Sequence, residues 1–597
     1  MAIIILGISA FYHDSAAAIL VDGEIIAAAQ EERFTRIKND ASFPANAMAY
    51  VMHEAGVEYK DLSAVAFYDK PLLKFERLLE TYHAFVPFGL RSFLKALPVW
   101  TKEKLFIKKQ INKHIKQFAA KTNVPVLFPE HHLSHAASAY YPSPFTKTAI
   151  LTIDGVGEWA TTTISYAENN QIKILKELHF PHSVGLLYSA FTYFLGFKVN
   201  SAEYKVMGLA PYGDALSSQT KKFIQIIKDE LIDIRKDGSI LLNMQYFDFA
   251  AGLKMIKEKK WNVLFEINRR EPESELHQSN KNLALAIQQI TNEIVVTLAG
   301  TAFELAHCDN LVMAGGVALN CVSNSKIVEA NIFKNVWIQP AAGDAGGALG
   351  AAYAAHQIFF DQPKKITNAD AMKGAFLGPS YANNEIEKTI RKYNAKYKYY
   401  ESFEALIEFI SKQIQQGKII GWFQDRMEFG PRALGNRSIL ADATNPGMQN
   451  IINRKIKKRE SFRPFAPAVL EEDVELYFKE VKCSPYMLFV AQSHSHINVP
   501  AVIHVDGTAR IQTVNKHSHP KFYKLLSAYK ELSGCGMMVN TSFNQRGEPL
   551  VCSPKDAYEA FIRMGLDFLV INNYVFNYAL QPSKQLKTIQ QINLLSD

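Results

Sequence analysis

Cysteine is scarce in this 597-residue chain: Cys308, Cys321, Cys483, Cys535 and Cys552 are far apart, odd in number and never in a CxxC pair. That argues against a disulfide framework and a thiolate zinc site, and fits a reducing, cytoplasmic compartment. Unbroken apolar runs of about 18 residues are missing, so no membrane span and no membrane partner are expected. The opening Met1–Ile8 is apolar but short, has no basic residue before it and is soon interrupted by His13 and Asp14; it reads as a strand, not a signal peptide. Neither sign of charge dominates. Lys+Arg 66 against Asp+Glu 58 leaves +8, which permits phosphate-bearing ligands without pointing to nucleic acid. A hydrophobic share of 48% excludes a disordered chain, and the length suits two to four domains.

What is present is an α/β pattern. Ile3–Ile8 is β-branched and continuous, as a buried strand is. Asp22-Gly23 between two apolar stretches predicts a hairpin. Pro44 and Gly56 bracket a helix, and Ala64–Tyr68 predicts another buried strand. A similar opening recurs, with strands predicted at Ala149–Ile153 and Ala160–Tyr166 around the turn Asp154-Gly155-Val156-Gly157. Strands at Asn310–Ala314 and Val336–Gln339 each run into a glycine-rich turn, an arrangement that aims backbone N–H groups at phosphate. The repetition predicts a duplicated α/β fold with a cleft. The boundary is placed within 358–375, giving domains 1–362 and 363–597, the second α+β. In it, helices are expected near 402–416 and 554–564, and strands near 418–423, 537–540 and 567–576. The Lys-rich stretch 102–117 reads as a helix with a solvated face.

Candidate ligands cluster early. His131 and His135 are one helical turn apart, so both imidazoles can share a metal, or can be paired surface or core histidines. Asp154 ends a strand and Asp344 sits in a strand-to-helix turn. As bland alternatives, the first is an Asx-turn residue and the second an N-cap. Two His with two Asp suit Fe(II), Mn(II) or Zn(II). Gly315 and Gly316 allow close approach of a ligand, and Asn320 offers donor and acceptor to a base or ribose. The pairs His494/His496 and His517/His519 read as exposed loop histidines. In the second part, Lys457, Arg459 and Arg463 belong to a dense basic run, with Arg432 upstream and Arg510, Ser542 and Asn544 downstream. Arginine forks suit phosphate oxygens; a solvated face and a nucleic-acid patch are the alternatives, the last weakened by sparse aromatics.

Taken in order, Gly7-Ile8, His13–Ala18, Glu31–Phe34, His131–His135, Lys205–Ala210, Gly315–Asn320, Gly343-Asp344, Phe429–Ser438, Arg463–Pro467, Asp506–Arg510 and Asn540–Asn544 resemble the NodU/CmcH-type O-carbamoyltransferases over nearly the whole chain. The resemblance implies an actin-like (ASKHA) N-terminal domain and a YrdC-like C-terminal domain. It implies that the second domain makes carbamoyl-adenylate from ATP, with its Mg²⁺, and carbamoyl phosphate. The first would then pass the carbamoyl group to a hydroxyl of a small acceptor, at a metal held by His131, His135, Asp154 and Asp344. It matches Lys457/Arg459 and Ser542/Asn544 to the YrdC-type signatures, Arg510 to the carbamoyl phosphate site, and His13 and Lys38 to positions near the carbamoyl group. His13 would contact that group or help deprotonate the acceptor. A homodimer is compatible with it, and no nucleic acid is implied. Rival readings are a threonylcarbamoyl-tRNA transferase fusion, an actin-like small-molecule kinase and a non-catalytic nucleotide-binding partner. A kinase would need a catalytic carboxylate for phosphoryl transfer and Mg²⁺ in place of the histidine pair. The acceptor itself is not legible.

Overall fold

Ile4–Ser9 is buried at every position and is the centre of the first sheet. Its unbroken apolar run follows from having both faces covered. The sheet order is 24–30, 16–21, 4–9, 64–67 and 126–127. Ile4–Ser9 runs antiparallel to Ala16–Val21, which turns through Asp22-Gly23 into Glu24–Gln30; on its other side it runs parallel to Ala64–Phe67. A second sheet repeats this strand for strand, in the order 171–179, 160–168, 147–153, 310–314 and 335–338. Lys147–Ile153 is antiparallel to Ala160–Glu168 and parallel to Asn310–Ala314, which is parallel to Asn335–Ile338. The N-terminal part is thus a duplicated, actin-like α/β fold. The computed structural model describes residues 2–102, 106–115, 124–366, 370–481, 483–494, 496 and 498–582. The chain divides into two compact units, residues 1–31 with 40–371, and residues 32–39 with the chain from 372 onward.

Within the first unit two helices lie against each other, His131–Tyr140 and Asp344–Tyr353. Their closeness depends on Gly350, where a Cβ would run into the Ser134 carbonyl. A third helix, Gln278–Ala306, is long and apolar enough to cross a membrane by composition, although polar residues interrupt its apolar run. In the structure 61% of its most apolar stretch is buried, as in a core helix. Of the Lys-rich stretch 102–117, Ile107–Ile115 is helical, with Ile107, Ile111 and Ile115 buried, while 103–105 and 116–117 lie outside the described residues.

The second unit is built on an eight-stranded mixed sheet, in the order 398–399, 574–577, 568–571, 420–423, 437–442, 537–542, 466–470 and 512–514. Helices Phe403–Gln415 and Pro520–Ser533 pack on one face around Trp422 and Leu440. Helix Pro554–Met564 packs on the other around Phe423 and Ile439. The stretch 567–576, expected as one strand, is a hairpin of Phe568–Ile571 and Tyr574–Asn577, because Asn572-Asn573 forms a turn and Asn572 has φ of 48°. His519, expected in an exposed loop, is buried instead. Its Nε2 lies 2.8 Å from Asn436 Oδ1 and its ring sits against Phe376 and Phe522. Burial pushes its pKa down to about 3.

Two outcomes follow. Gly350→Ala forces the two central helices apart, and overpacking of this kind costs about 1–3 kcal/mol, read as a lowered urea midpoint. His519 is held neutral in the fold, so its contribution is complete above its ordinary value of 6.5 and is lost as pH falls toward 3. His519→Gln keeps an amide to pair with Asn436, and its urea midpoint falls less than that of the native chain between neutral and acid pH.

Candidate metal centre and anion site

In the first unit the strand ends deliver the chemistry. Helix His131–Tyr140 follows Val126–Leu127 and has no side-chain cap from its own neighbour, Glu130. Glu158 supplies one instead: its carboxylate oxygens accept from the His131 N–H at 3.0 and 3.1 Å, and one also accepts from the Lys70 N–H at 2.7 Å. An acidic cap at a helix N-terminus also favours the dipole. Asp154 directly follows strand Lys147–Ile153, and Asp344 opens the helix after Asn335–Ile338.

These elements bring His131, His135, Asp154 and Asp344 together, with one ligand atom of each within 4.8 Å of all the others. The two Nε2 atoms are 3.1 Å apart. His131 Nε2 is 3.0 Å from Asp154 Oδ2 and 3.8 Å from Asp344 Oδ1. His135 Nε2 is 3.5 and 3.8 Å from the same oxygens. At most one proton fits between two facing imidazole nitrogens, so lone pairs converge from four buried or half-buried groups. Bonds of about 2.0–2.2 Å to a central ion give ligand–ligand edges of about 3.0–3.5 Å, close to these distances. The residues therefore fit a divalent cation of borderline softness. Burial works against the Asp154 carboxylate, but hydrogen bonds from His131 and His135 outweigh it and hold its pKa well down.

His13 stands at the edge of this cluster, its Nδ1 3.1 Å from Asp14 and 3.8 Å from Asp344. Burial opposes its charged form, yet Asp344 and Asp14 prevail and raise its pKa to about 9. The Tyr68 hydroxyl donates to Asp344 Oδ2 at 3.5 Å, and its ring meets His131 edge-on. The Gly316 N–H donates to Asp154 Oδ1 at 3.0 Å, while Gly315 lies against the Ile153 carbonyl. Asn320 caps the helix Cys321–Glu329 through Ser323 N–H and pairs its amide with Gln288. Lys38 is half-buried in residues 32–39, which belong to the second unit.

In the second unit Lys457 is buried, and its ammonium reaches Ser542 Oγ at 3.1 Å, Asn544 O at 3.0 Å and Asn544 Oδ1 at 3.2 Å, with the Ser542 carbonyl also in contact. The two sequence signatures thus meet. Burial, then Arg459 and Arg463, push the Lys457 pKa well down. Arg459 is steadied by Asn453 Oδ1 at 2.8 Å, and Arg463 by Glu460 at 3.8 Å. Arg510 ends strand Thr508–Arg510, and Arg432 lies half-buried in the loop before strand Arg437–Asp442. That loop is braced internally. Glu428 accepts from the N–H groups of Leu434, Asn436 and Arg437, and the buried Arg437 is held by carbonyls of Gln424, Asn436, Pro379 and Asp425 above the Phe423 ring.

Residues 4–353 match the family model described as carbamoyltransferase N-terminus, and residues 411–578 match that described as carbamoyltransferase C-terminus. The chain belongs to the carbamoyltransferase family. Among relatives of this transferase, the uncharacterized protein sll1178 of Synechocystis is 49% identical over 608 residues, covering 97% of this chain and 98% of that one. Nodulation protein NolNO of Sinorhizobium fredii is 33% identical over 577 residues, 95% of this chain and 79% of that one. The 3'-hydroxymethylcephem-O-carbamoyltransferase of Streptomyces clavuligerus is 33% identical over 283 residues, 47% of this chain and 51% of that one. A solved structure of full-length HypF in the phosphate- and nucleotide-bound form aligns with a TM-score of 0.31 at 12% identity, over 60% of this chain and 56% of that one.

Three side chains or groups of this carbamoyltransferase's first site were not singled out from sequence: Tyr68, Glu158 and the Gly316 N–H in its bond to Asp154. Tyr68 carried a usable signal, since it ends a buried parallel strand, where ligands of open α/β sheets gather. Glu158 carried none, because its partner is 27 residues away. Elemental analysis of the purified enzyme is expected to find one divalent ion per chain, and His135→Ala and Asp344→Asn each to lose it.

Proposed function

We propose that this carbamoyltransferase makes carbamoyl-adenylate in its second unit and, in its first unit, passes the carbamoyl group to a hydroxyl of a small metabolite, a natural product or sugar. The convergence of His131, His135, Asp154 and Asp344, with His13 beside it, carries the reading. Atoms balance as follows: carbamoyl phosphate, ATP and one water become carbamoyl-adenylate, pyrophosphate and phosphate. The acceptor oxygen then bonds to the carbamoyl carbon, the bond from that carbon to AMP breaks, and the hydroxyl proton leaves to a base.

Both activated substrates are anionic, and Lys457, Arg459, Arg463, Arg432 and Arg510 supply the opposing charge. Ser542 and Asn544 fix the Lys457 amine through neutral oxygens. Mg²⁺ would accompany ATP. In the first unit the four ligands would hold Fe(II), Mn(II) or Zn(II), and a bound ion supplies Lewis-acid stabilisation of developing oxygen charge. Gly316 fixes the Asp154 carboxylate, and Tyr68 that of Asp344. Asn320, its amide oriented by Gln288, would meet a ribose or base at the Gly315-Gly316 turn. His13 is assigned contact with the transferred group.

The test is an ATP assay without acceptor. Pyrophosphate release that needs carbamoyl phosphate is expected, and Lys457→Ala is expected to abolish it. ADP in place of pyrophosphate would move the reading to phosphoryl transfer. His13→Ala is expected to keep pyrophosphate release while slowing transfer to a hydroxylated acceptor by about 10²–10⁴-fold. An unchanged transfer rate removes His13 from the reaction.

A further inference from the structure

Helix Leu90–Lys102 of the first unit presents an apolar stripe to solvent. Leu90 and Leu94 are 64% and 61% exposed, and the loop before them carries Val86 and Phe88 at 71% and 76%. Its opposite face is the docked one: Ser92 is buried and its hydroxyl donates to the Ala251 carbonyl, while Phe93 meets the Tyr82 ring. A surface helix normally buries its apolar stripe. The neighbouring helix Ile107–Ile115 does so, with Ile107, Ile111 and Ile115 inside and Lys108, Lys109 and Lys113 outside. Isolated exposed aliphatics need no explanation, but four large ones within nine residues do.

Charge says what would cover them. Arg91 and Lys95 are exposed and one helical turn apart, each adjoining a stripe leucine. Between Glu80 and Glu130 the sequence holds nine Lys and Arg residues and a single acidic one, Glu103. A second copy of this chain on a two-fold axis would set Arg91 and Lys95 against like charge. An anionic lipid surface opposes no charge and accepts the apolar side chains between its headgroups. We propose that the Val86–Lys95 tip is a reversible docking site for anionic membrane surfaces. Composition alone predicts no membrane partner; the outward stripe argues for one. The site shares no residue with the metal and anion clusters and does not depend on their chemistry.

The full-length protein is pelleted with phosphatidylcholine vesicles, with and without phosphatidylglycerol. Co-sedimentation with the anionic vesicles, weakened by salt, is expected. Arg91→Ala with Lys95→Ala should lower the partition constant about 30-fold, at about 1 kcal/mol per basic group near the surface. Phe88→Ser with Leu94→Ser should abolish binding while thermal unfolding and carbamoyl phosphate-dependent ATP turnover stay as in the native chain. No co-sedimentation, or equal binding to neutral vesicles, overturns the proposal. So does a lipid-free dimer in sedimentation equilibrium that Phe88→Ser dissociates, since the patch would then be a protein interface.

Discussion

The distance between two helix backbones governs the first unit. The helix bearing His131 and His135 and the helix opened by Asp344 meet where Gly350 faces the Ser134 carbonyl, inside the turn that separates the two histidines. A methyl group at that point would enlarge the spacing of nitrogen and oxygen ligands together. Bond lengths to a divalent ion tolerate changes of only a few tenths of an ångström, so packing far from any ligand atom sets whether the cluster can close. Gly316 and Tyr68 then act on an already fixed frame, each orienting one carboxylate.

The second unit solves a different problem. On the proposed reading five cationic side chains face small anions, one of them, Arg463, beside the carboxylate of Glu460. Lys457 is held by serine and asparagine oxygens, which orient an amine without neutralising it. Arg437, by contrast, is held at both terminal nitrogens by backbone carbonyls and braces the loop, although it lies in the same motif as Arg432.

Much of this was legible in the chain. Buried parallel strands announce themselves by β-branched runs, and turns by Asp22-Gly23 or Pro44 and Gly56, because these signals are local. The histidine pair was legible through helical spacing. What local patterns could not supply is long-range pairing. Glu158 caps a helix that begins 27 residues earlier, and His519 is buried by Asn436, 83 residues away. Asn572-Asn573 divided a strand because φ of 48° at Asn572 ends pairing, whereas the apolar pattern runs through. The outward stripe of Leu90–Lys102 was equally hidden: periodicity locates a stripe but leaves open which side faces the core.

The repeated sheet topology has a consequence for how the centre is held. The first sheet and the helix after it provide both imidazoles; the second sheet and its helix provide both carboxylates. Each repeat alone owns two donors of one chemical kind, too few to retain an ion firmly. A bound cation is therefore a cross-link between the repeats, nitrogen on one side and oxygen on the other. Its loss would leave the repeats joined by the packing of Asp344–Tyr353 on His131–Tyr140 and on Ile4–Ser9.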